Sequence, residues 1–307
     1  MTSHPLTQPR QAAQSRPAWL ATVGALLALT KPQLALMSVT TSMVAYGAAR
    51  PTAGAAGALI TFAGTSLAAG GALSLNQWWE RRADAQMRRT RSRPLPQGRL
   101  HPGAALAWSL TLSAAGVGVL AVRVNLPAAA VATLTILAYG LVYTPLKRRT
   151  RWATELGAVS GALPPLLGNA AAGDLWAAPG VALAGFLLFW QMPHFFAIGW
   201  RHRADYRNAG FKLLPAVDAT GRQTARWSLL YSALLLPVAL APWALGYLGA
   251  IYGVTVALAG GAFLLCAWQF AAATPDRDPA ARRLFLASIF FLPLVLAALA
   301  VDRLVAV

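Results

Sequence analysis

The chain has 307 residues, of which 57% are hydrophobic and only 11% are charged, and its formal net charge is +17. This composition excludes a nucleic-acid-binding protein, which needs a polar basic face. The single cysteine, Cys266, lies inside an apolar segment, which excludes a disulfide framework and a metal–thiolate cluster.

The first 31 residues precede the main apolar part of the chain. They contain an apolar run at 18–29 that ends in Thr30-Lys31-Pro32, and they lack a convincing small-residue cleavage site. We therefore expect residues 1–31 to form a cytoplasmic tail and lead-in that lies on or enters the membrane. Residues 32–307 are expected to form a single transmembrane domain.

The remaining apolar residues occur in blocks of about twenty, the length that a helix needs to cross a bilayer. Pro, Gly or charged residues separate the blocks. The fold class is therefore predicted to be all-α, a multi-pass membrane helix bundle of about nine transmembrane helices. The predicted spans are 32–49, 53–76, 104–122, 127–144, 155–173, 179–200, 227–247, 250–273 and 284–302.

The Lys and Arg residues are distributed unevenly between the two sides of this bundle. Twenty-three of the 26 lie in the N-terminal tail and in the four even-numbered connections, and the other side holds only Arg50, Arg123 and Arg303. The positive-inside rule then places the N-terminus and the even-numbered connections in the cytoplasm and the C-terminus outside. The net charge is thus interpreted as a topology signal.

The segment that follows the second span concentrates charge. Asn76, Glu80 and Asp84 are spaced by four, so they share one face of a helix that continues out of the span. One amide oxygen and two carboxylates suit Mg²⁺, which usually also binds substrate phosphates. Several arginines could hold diphosphate oxygens: Arg81, Arg88, Arg89, Arg91 and Arg93. The alternative is a membrane-proximal helix with i,i+4 ion pairs that anchors anionic lipid.

Two further loops carry candidate residues. Lys147, Arg148 and Arg149 follow Tyr143 at a helix end, where they could complete a diphosphate clamp or serve only as a positive-inside anchor. His194 lies near membrane depth after a proline, so it could ligate haem iron, contact substrate or transfer protons. A structural histidine bonded to a carbonyl is the alternative.

Asp205 follows the sixth span. It could add a carboxylate to the metal site from across the bundle, or it could form an ion pair with Arg201, four residues earlier.

Several of these motifs resemble a known family. Asn76, Glu80 and Asp84, together with the residues at 89–98, resemble the first signature of the intramembrane prenyltransferase superfamily, which includes 4-hydroxybenzoate polyprenyltransferase. Other segments are similar to the haem-modifying branch of that superfamily. They are Leu-Thr-Lys-Pro at 29–32, Tyr-Thr-Pro-Leu-Lys-Arg-Arg-Thr at 143–150, Gly-Ala-Leu-Pro-Pro-Leu at 161–166 and Trp-Gln-Met-Pro-His-Phe at 190–195.

The resemblance implies an intramembrane prenyltransferase fold and a Mg²⁺-dependent enzyme. Its reaction would transfer a farnesyl group from farnesyl diphosphate to a vinyl group of haem B, giving haem O. The catalytic residues would be Asn76, Glu80, Asp84 and Tyr143, and the metal ligands Asn76, Glu80, Asp84 and Asp205. The substrate-binding residues would be Arg81, Arg89, Arg93, Lys147, Arg148, His194 and Asp205. Trp78, Trp79 and Tyr139 would join Tyr143 around an allylic cation.

The resemblance also implies a location and partners. The protein would lie in the bacterial cytoplasmic (inner) membrane, in contact with lipid, with its active site on the cytoplasmic side, and a haem A synthase would be a candidate partner. Two positions depart from the family pattern. Glu80 stands where the family usually has Asp, and only Asp205 remains of the second aspartate-rich motif of the broader superfamily.

Other functions stay open at this point. A prenyltransferase could act on another acceptor, such as a quinone precursor. A multi-pass transporter would need polar residues at mid-membrane on several spans, whereas here they gather at one edge. A haem or lipid chaperone would bind ligand without releasing diphosphate.

Overall fold

The computed structural model describes residues 17–274 and 276–305, and within these ranges the chain is helical without a strand. This confirms the predicted all-α class. The longer helices are α1 (Ala18–Leu29), α2 (Pro32–Ala48), α3 (Gly54–Asp84), α4 (Pro102–Arg123), α5 (Leu126–Leu137), α7 (Ala153–Ala172), α8 (Ala178–Arg201), α11 (Arg222–Ala244), α12 (Ala250–Ala272) and α13 (Asp278–Val305). Three short helices are α6 (Thr144–Leu146), α9 (Arg203–Asn208) and α10 (Leu214–Val217).

Hydrogen bonds between loops define the two ends of the bundle. At one end, the Lys212 backbone N–H donates to the Lys147 carbonyl over 2.8 Å, and Arg277 Nε donates to the Thr220 carbonyl over 3.2 Å. We call this the charged end, which comprises the connecting segments at 85–101, 147–152, 202–221, 273–274 and 276–277. At the other end, Asn125 Nδ2 donates to the Ala170 carbonyl over 2.7 Å.

These ties show that the long helices from α2 onward run in alternating directions between the two ends. Seven of the described helices are long and apolar enough to cross a membrane, and α1 with α2, bent by 46° around Lys31, forms an eighth span as a pair. By length and hydropathy the described residues thus contain eight candidate spans, one fewer than the nine predicted, because α7 is not among the eight. It carries Pro164, Pro165 and Asn169, and it packs among α2, α5 and α8. It still runs from the charged end to the other, with its polar residues facing protein.

Small residues let α3 and α4 approach closely. A Cβ added at Gly116 of α4 would lie 2.4 Å from the Ala68 backbone nitrogen and 2.8 Å from the Gly64 carbonyl oxygen of α3. Such backbone contact through small residues is typical of membrane helices. It holds α3, which carries the acidic motif, firmly against the bundle.

The fourth span changes its helical register just before the charged end. Residues Ala138–Tyr143 form a π-helix between α5 and α6. Such π-helical turns are rare and are frequent at functional sites. Tyr143 is the last residue of this turn, and Lys147 follows it after the short helix α6.

Candidate active site

The acidic motif lies on the last turns of α3, where the helix reaches the charged end. The helix continues through Asp84, so Asn76, Glu80 and Asp84 share one face as predicted. Asn76 is 1% exposed and Asp84 is 2% exposed. Buried carboxylates need ionic or hydrogen-bonding partners, because the isolated charge is costly to desolvate.

Both carboxylates have cationic partners from other segments. Glu80 Oε1 lies 2.7 Å from Lys147 Nζ, and Asp84 Oδ2 lies 2.6 Å from Arg93 Nη1. Neither is an i,i+4 pair within one helix, so the alternative of a surface helix with i,i+4 ion pairs does not describe this motif. The two pairs instead join α3 to the 85–101 loop and to the end of the fourth span.

Lys147 is a permanent cation of this cluster. Burial favours its neutral amine, but the Glu80 carboxylate outweighs burial and raises the pKa of Lys147 above its ordinary value. Its ammonium also lies 4.2 Å from the centre of the Tyr143 ring, a cation–π contact. Lys147 therefore stays charged at physiological pH and faces both an acid and an aromatic ring.

Asn76 is held by two residues that the sequence analysis did not place in the site. Lys31 Nζ donates to Asn76 Oδ1 over 3.0 Å, and Asn76 Nδ2 donates to Thr144 Oγ1 over 3.1 Å. Lys31 adopts the left-handed backbone conformation, with φ of 44°, at the bend between α1 and α2. In the sequence, Lys31 stands out only as a single lysine between two apolar runs, which the charge distribution explains as a topology signal.

The predicted arginines have different surroundings. Arg93 lies inside the cluster, whereas Arg89 Nη2 donates to the Tyr206 hydroxyl over 3.2 Å. Arg148 Nη2 donates to the Ala209 carbonyl over 3.1 Å. Arg81 folds onto its own helix, donating to the Trp78 carbonyl over 2.7 Å. Arg93 is thus the predicted arginine that the structure joins directly to the acidic motif.

The two tyrosines that were predicted to surround an allylic cation, Tyr139 and Tyr143, contact each other. The rings of Tyr139 and Tyr143, which both belong to the π-helix, are 5.4 Å apart. Trp78 and Trp79 also contact each other, with ring centroids 5.4 Å apart, but Trp79 is 44% exposed. The two tyrosines therefore share the surroundings of Lys147, whereas Trp79 faces away from the protein.

His194 contacts α13 rather than the acidic motif. Its Nδ1 lies 2.7 Å from Ser288 Oγ, and its ring stacks on Trp190 at 5.2 Å and approaches Phe285 at 5.2 Å. The alternative interpretation was a structural histidine bonded to a carbonyl, but in the structure the imidazole bonds to a serine hydroxyl. His194 is half-buried on the side of α8 that faces α13.

Asp205 lies on α9 at the charged end. It lines a pocket of about 450 Å³, which we call the basic pocket and which is formed by Arg88, Arg89, Arg201, His202, Ala204 and Asp205. Among the three ion pairs of the described residues, none joins Asp205 to Arg201. The alternative in which Asp205 forms an ion pair with Arg201 is therefore not seen among the described residues.

The donor set limits which metal could bind. Within the described part of the chain, no group of three or more His, Cys, Asp or Glu residues is arranged to hold a metal ion. The oxygens of Asn76, Glu80 and Asp84 on one buried face nevertheless fit Mg²⁺, because it binds through one or two carboxylates, waters and substrate phosphates. The motif therefore fits a metal that arrives with a phosphate ligand rather than an all-protein site.

Comparison with known proteins agrees with this architecture. The model of the UbiA prenyltransferase family matches residues 35–289. The chain is 45% identical over 278 residues to the protoheme IX farnesyltransferase of Opitutus terrae, covering 91% of this chain and 94% of that protein. It is 39% identical over 279 residues to the protein of the same name from Myxococcus xanthus, covering 91% and 94% of the two chains.

Solved structures share the fold at low sequence identity. A structure of digeranylgeranylglyceryl phosphate synthase matches with a TM-score of 0.77 at 17% identity, covering 92% of this chain and 98% of that one. A UbiA homologue from Archaeoglobus fulgidus bound to GPP and Mg²⁺ matches with a TM-score of 0.63 at 13% identity, covering 90% and 99%.

Proposed function

Because the chain belongs to the UbiA prenyltransferase family, we propose that it transfers a farnesyl group from farnesyl diphosphate to a vinyl group of haem B, giving haem O. The observation that carries this proposal is the buried face of Asn76, Glu80 and Asp84 beside Lys147 and Arg93. It occurs in a chain whose relatives over nine-tenths of its length are named protoheme IX farnesyltransferase.

The cluster at the end of α3 suits the diphosphate group. Cleavage of the carbon–oxygen bond leaves the electron pair on diphosphate, so negative charge grows there in the transition state. Lys147 and Arg93 would bind that charge through ammonium and guanidinium donors, with Arg148 from the 147–152 loop. Their present partners, Glu80 and Asp84, keep these cations in place before substrate binds.

Mg²⁺ would add charge neutralisation on the departing diphosphate. The residues that would hold it are Asn76, Glu80 and Asp84, which share one face of α3, whereas Asp205 lines the basic pocket. Glu80 is longer by one methylene than the Asp usual at this position. That length lets it reach Lys147 across the gap to the fourth span, at 2.7 Å. Glu80 would therefore serve both the metal and the lysine.

The farnesyl cation left by this cleavage needs a dry, electron-rich surrounding. The adjacent rings of Tyr139 and Tyr143 would stabilise it through their faces. The vinyl group of haem B then supplies the electron pair of the new carbon–carbon bond. Water adds to the resulting carbocation and loses a proton, which leaves a hydroxyl group beside the farnesyl chain.

The proposed location follows from charge. The charged end, which bears the acidic motif and most of the basic residues, would face the cytoplasm, in the bacterial cytoplasmic (inner) membrane. His194, at the seam of α8 and α13, would contact haem. A haem A synthase would be a partner that takes up the product.

Two alternatives predict different behaviour. A prenyltransferase for a quinone precursor would release diphosphate with that acceptor and not with haem B. A haem or lipid chaperone would release no diphosphate with either acceptor.

The test uses the purified full chain in detergent with farnesyl diphosphate and Mg²⁺, and it measures diphosphate release. Release that requires haem B supports the proposal. Release only with 4-hydroxybenzoate, or release that ignores the acceptor, would overturn it.

A further inference from the structure

The basic pocket lies at the charged end and shares no lining residue with the acidic motif. Its positive groups come from two segments, Arg88 and Arg89 from the loop after α3 and Arg201 from the end of α8, and it measures about 450 Å³. The hydrogen bond between Arg89 and Tyr206 joins the two segments. The pocket therefore forms only where the 85–101 loop meets the start of α9.

The guanidinium groups of this pocket have no acidic partner. None of the three ion pairs in the described residues includes Arg88, Arg89 or Arg201. Asp205 is the one carboxylate among the lining residues, so three arginines and one aspartate leave a formal charge of +2. The basic pocket therefore suits a ligand with two negative charges.

His202 adds little to this charge. Burial, followed by the charges of Arg89 and Arg201, lowers the pKa of His202 below its ordinary value. Its imidazole is neutral at pH 7 and can donate or accept a hydrogen bond. The guanidiniums alone supply the positive charge.

Arg201 links the basic pocket to an aromatic surface deeper in the bundle. Its guanidinium lies 5.2 Å from the centre of the Phe285 ring, and Phe285 in turn contacts His194. Arg201 and His194 are seven residues apart on α8, which places them on one face about 10 Å apart along the axis. A basic rim and an aromatic wall thus follow one another from the charged end inward.

We infer that the basic pocket binds the two propionate carboxylates of the haem acceptor. This inference rests on the proposed function. A porphyrin with both propionates in the pocket would turn its apolar edge toward Phe285, His194 and Trp190. The two carboxylates match the formal charge of the pocket, and guanidinium groups bind carboxylates through paired hydrogen bonds.

Diphosphate is the competing anion. Its place is beside Glu80 and Asp84, where Lys147 and Arg93 are already held by carboxylates that can bind a metal. The basic pocket contains one carboxylate, Asp205, and three guanidinium groups that take part in none of the ion pairs of the described residues. This chemistry favours direct binding of carboxylates.

The experiment compares haem B with its dimethyl ester, in which both propionates are uncharged. Wild-type protein and the variants Arg88→Gln and Arg201→Gln are assayed with saturating farnesyl diphosphate. Arg226→Gln is the matched control, because Arg226 is exposed on α11 outside the basic pocket. Loss of one charge-assisted hydrogen bond is expected to raise KM for haem B by about tenfold or more in each pocket variant.

The selectivity between the two acceptors is the decisive measurement. Wild-type protein and Arg226→Gln should prefer haem B to the ester, and this preference should fall about tenfold in Arg88→Gln and Arg201→Gln. KM for farnesyl diphosphate should stay within about twofold of wild type, since the donor site is not altered. If Arg201→Gln loses its fold together with the Phe285 contact, Arg88→Gln carries the test.

Three outcomes overturn the inference while leaving the proposed function intact. They are equal prenylation of both acceptors by the wild-type protein, wild-type selectivity in the variants, and a higher KM for farnesyl diphosphate in the variants, which would assign the pocket to diphosphate. Absence of porphyrin prenylation by the wild-type protein would overturn the proposed function itself.

Discussion

At the scale of single residues, the candidate site depends on ion pairs between segments that are distant in sequence. Glu80 and Lys147 are 67 residues apart, and Lys31 reaches Asn76 over a separation of 45 residues. The four-residue spacing predicted which acids share a face. It could not identify their partners, because the sequence does not determine which of three consecutive cations points at Glu80.

Substitution of Asp84 tests the metal role at this scale. Asp84→Asn keeps the shape of the side chain but removes the charge that would hold Mg²⁺ and orient Arg93. We expect kcat/KM to fall at least about 100-fold at saturating Mg²⁺. Asp174→Asn, the same change at the opposite end of the bundle, is the control and should retain activity. Near wild-type turnover by Asp84→Asn would remove Asp84 from the metal site.

His194 is tested against its own hydrogen-bond partner. His194→Ala should raise KM for haem B about tenfold or more and leave KM for farnesyl diphosphate unchanged, because the imidazole would contact only the acceptor. Ser288→Ala removes the partner but keeps the imidazole, so its effect on KM should be under about threefold. Equal effects of the two substitutions on steady-state kinetics would show that His194 acts through packing.

At the scale of helices, some features were predicted from the sequence and others were not. Blocks of apolar residues located the long helices, and the predicted continuation of the second span agrees with α3 reaching Asp84. The π-helix at Ala138–Tyr143 was not predicted. An apolar run has the same composition in either register, so only packing against neighbouring helices reveals the wider turn.

Packing of α3 on α4 provides a test at the same scale. A methyl group at Gly116 would meet the backbone of Ala68 and Gly64, whereas one at Gly118 meets nothing within 4 Å. Gly116→Ala should therefore destabilise the protein by about 1–3 kcal/mol through overpacking. Gly118→Ala on the same helix should be neutral or stabilising. Thermal unfolding in detergent measures both, and equal stabilities would contradict the close approach.

At the scale of the whole molecule, both the order and the alternation of the spans could be predicted from the sequence. The predicted span 155–173 corresponds to α7, which runs between the two ends although its prolines and asparagine lower its hydropathy. The sequence did not show that α7 packs among α2, α5 and α8, because that depends on tertiary contacts. The clustering of the acidic motif with Lys147 likewise depends on tertiary packing.

The orientation of the bundle is tested by labelling in a Cys266→Ser background. One cysteine replaces Gln97, which is exposed in a loop of the charged end, and the other replaces Trp176, which is 72% exposed in the loop between α7 and α8 at the other end. With a membrane-impermeant maleimide on spheroplasts, Trp176→Cys should react at once and Gln97→Cys only after permeabilisation. The reverse order would place the active site outside the cytoplasm.

The central claim is the farnesylation of haem B, and the mass of the porphyrin product tests it most directly. Purified protein with farnesyl diphosphate, Mg²⁺ and haem B should yield a haem that has gained one farnesyl group and one hydroxyl group. In water labelled with ¹⁸O, the label should appear in that hydroxyl. Unchanged haem B, alongside prenylation of a different acceptor, would contradict the claim.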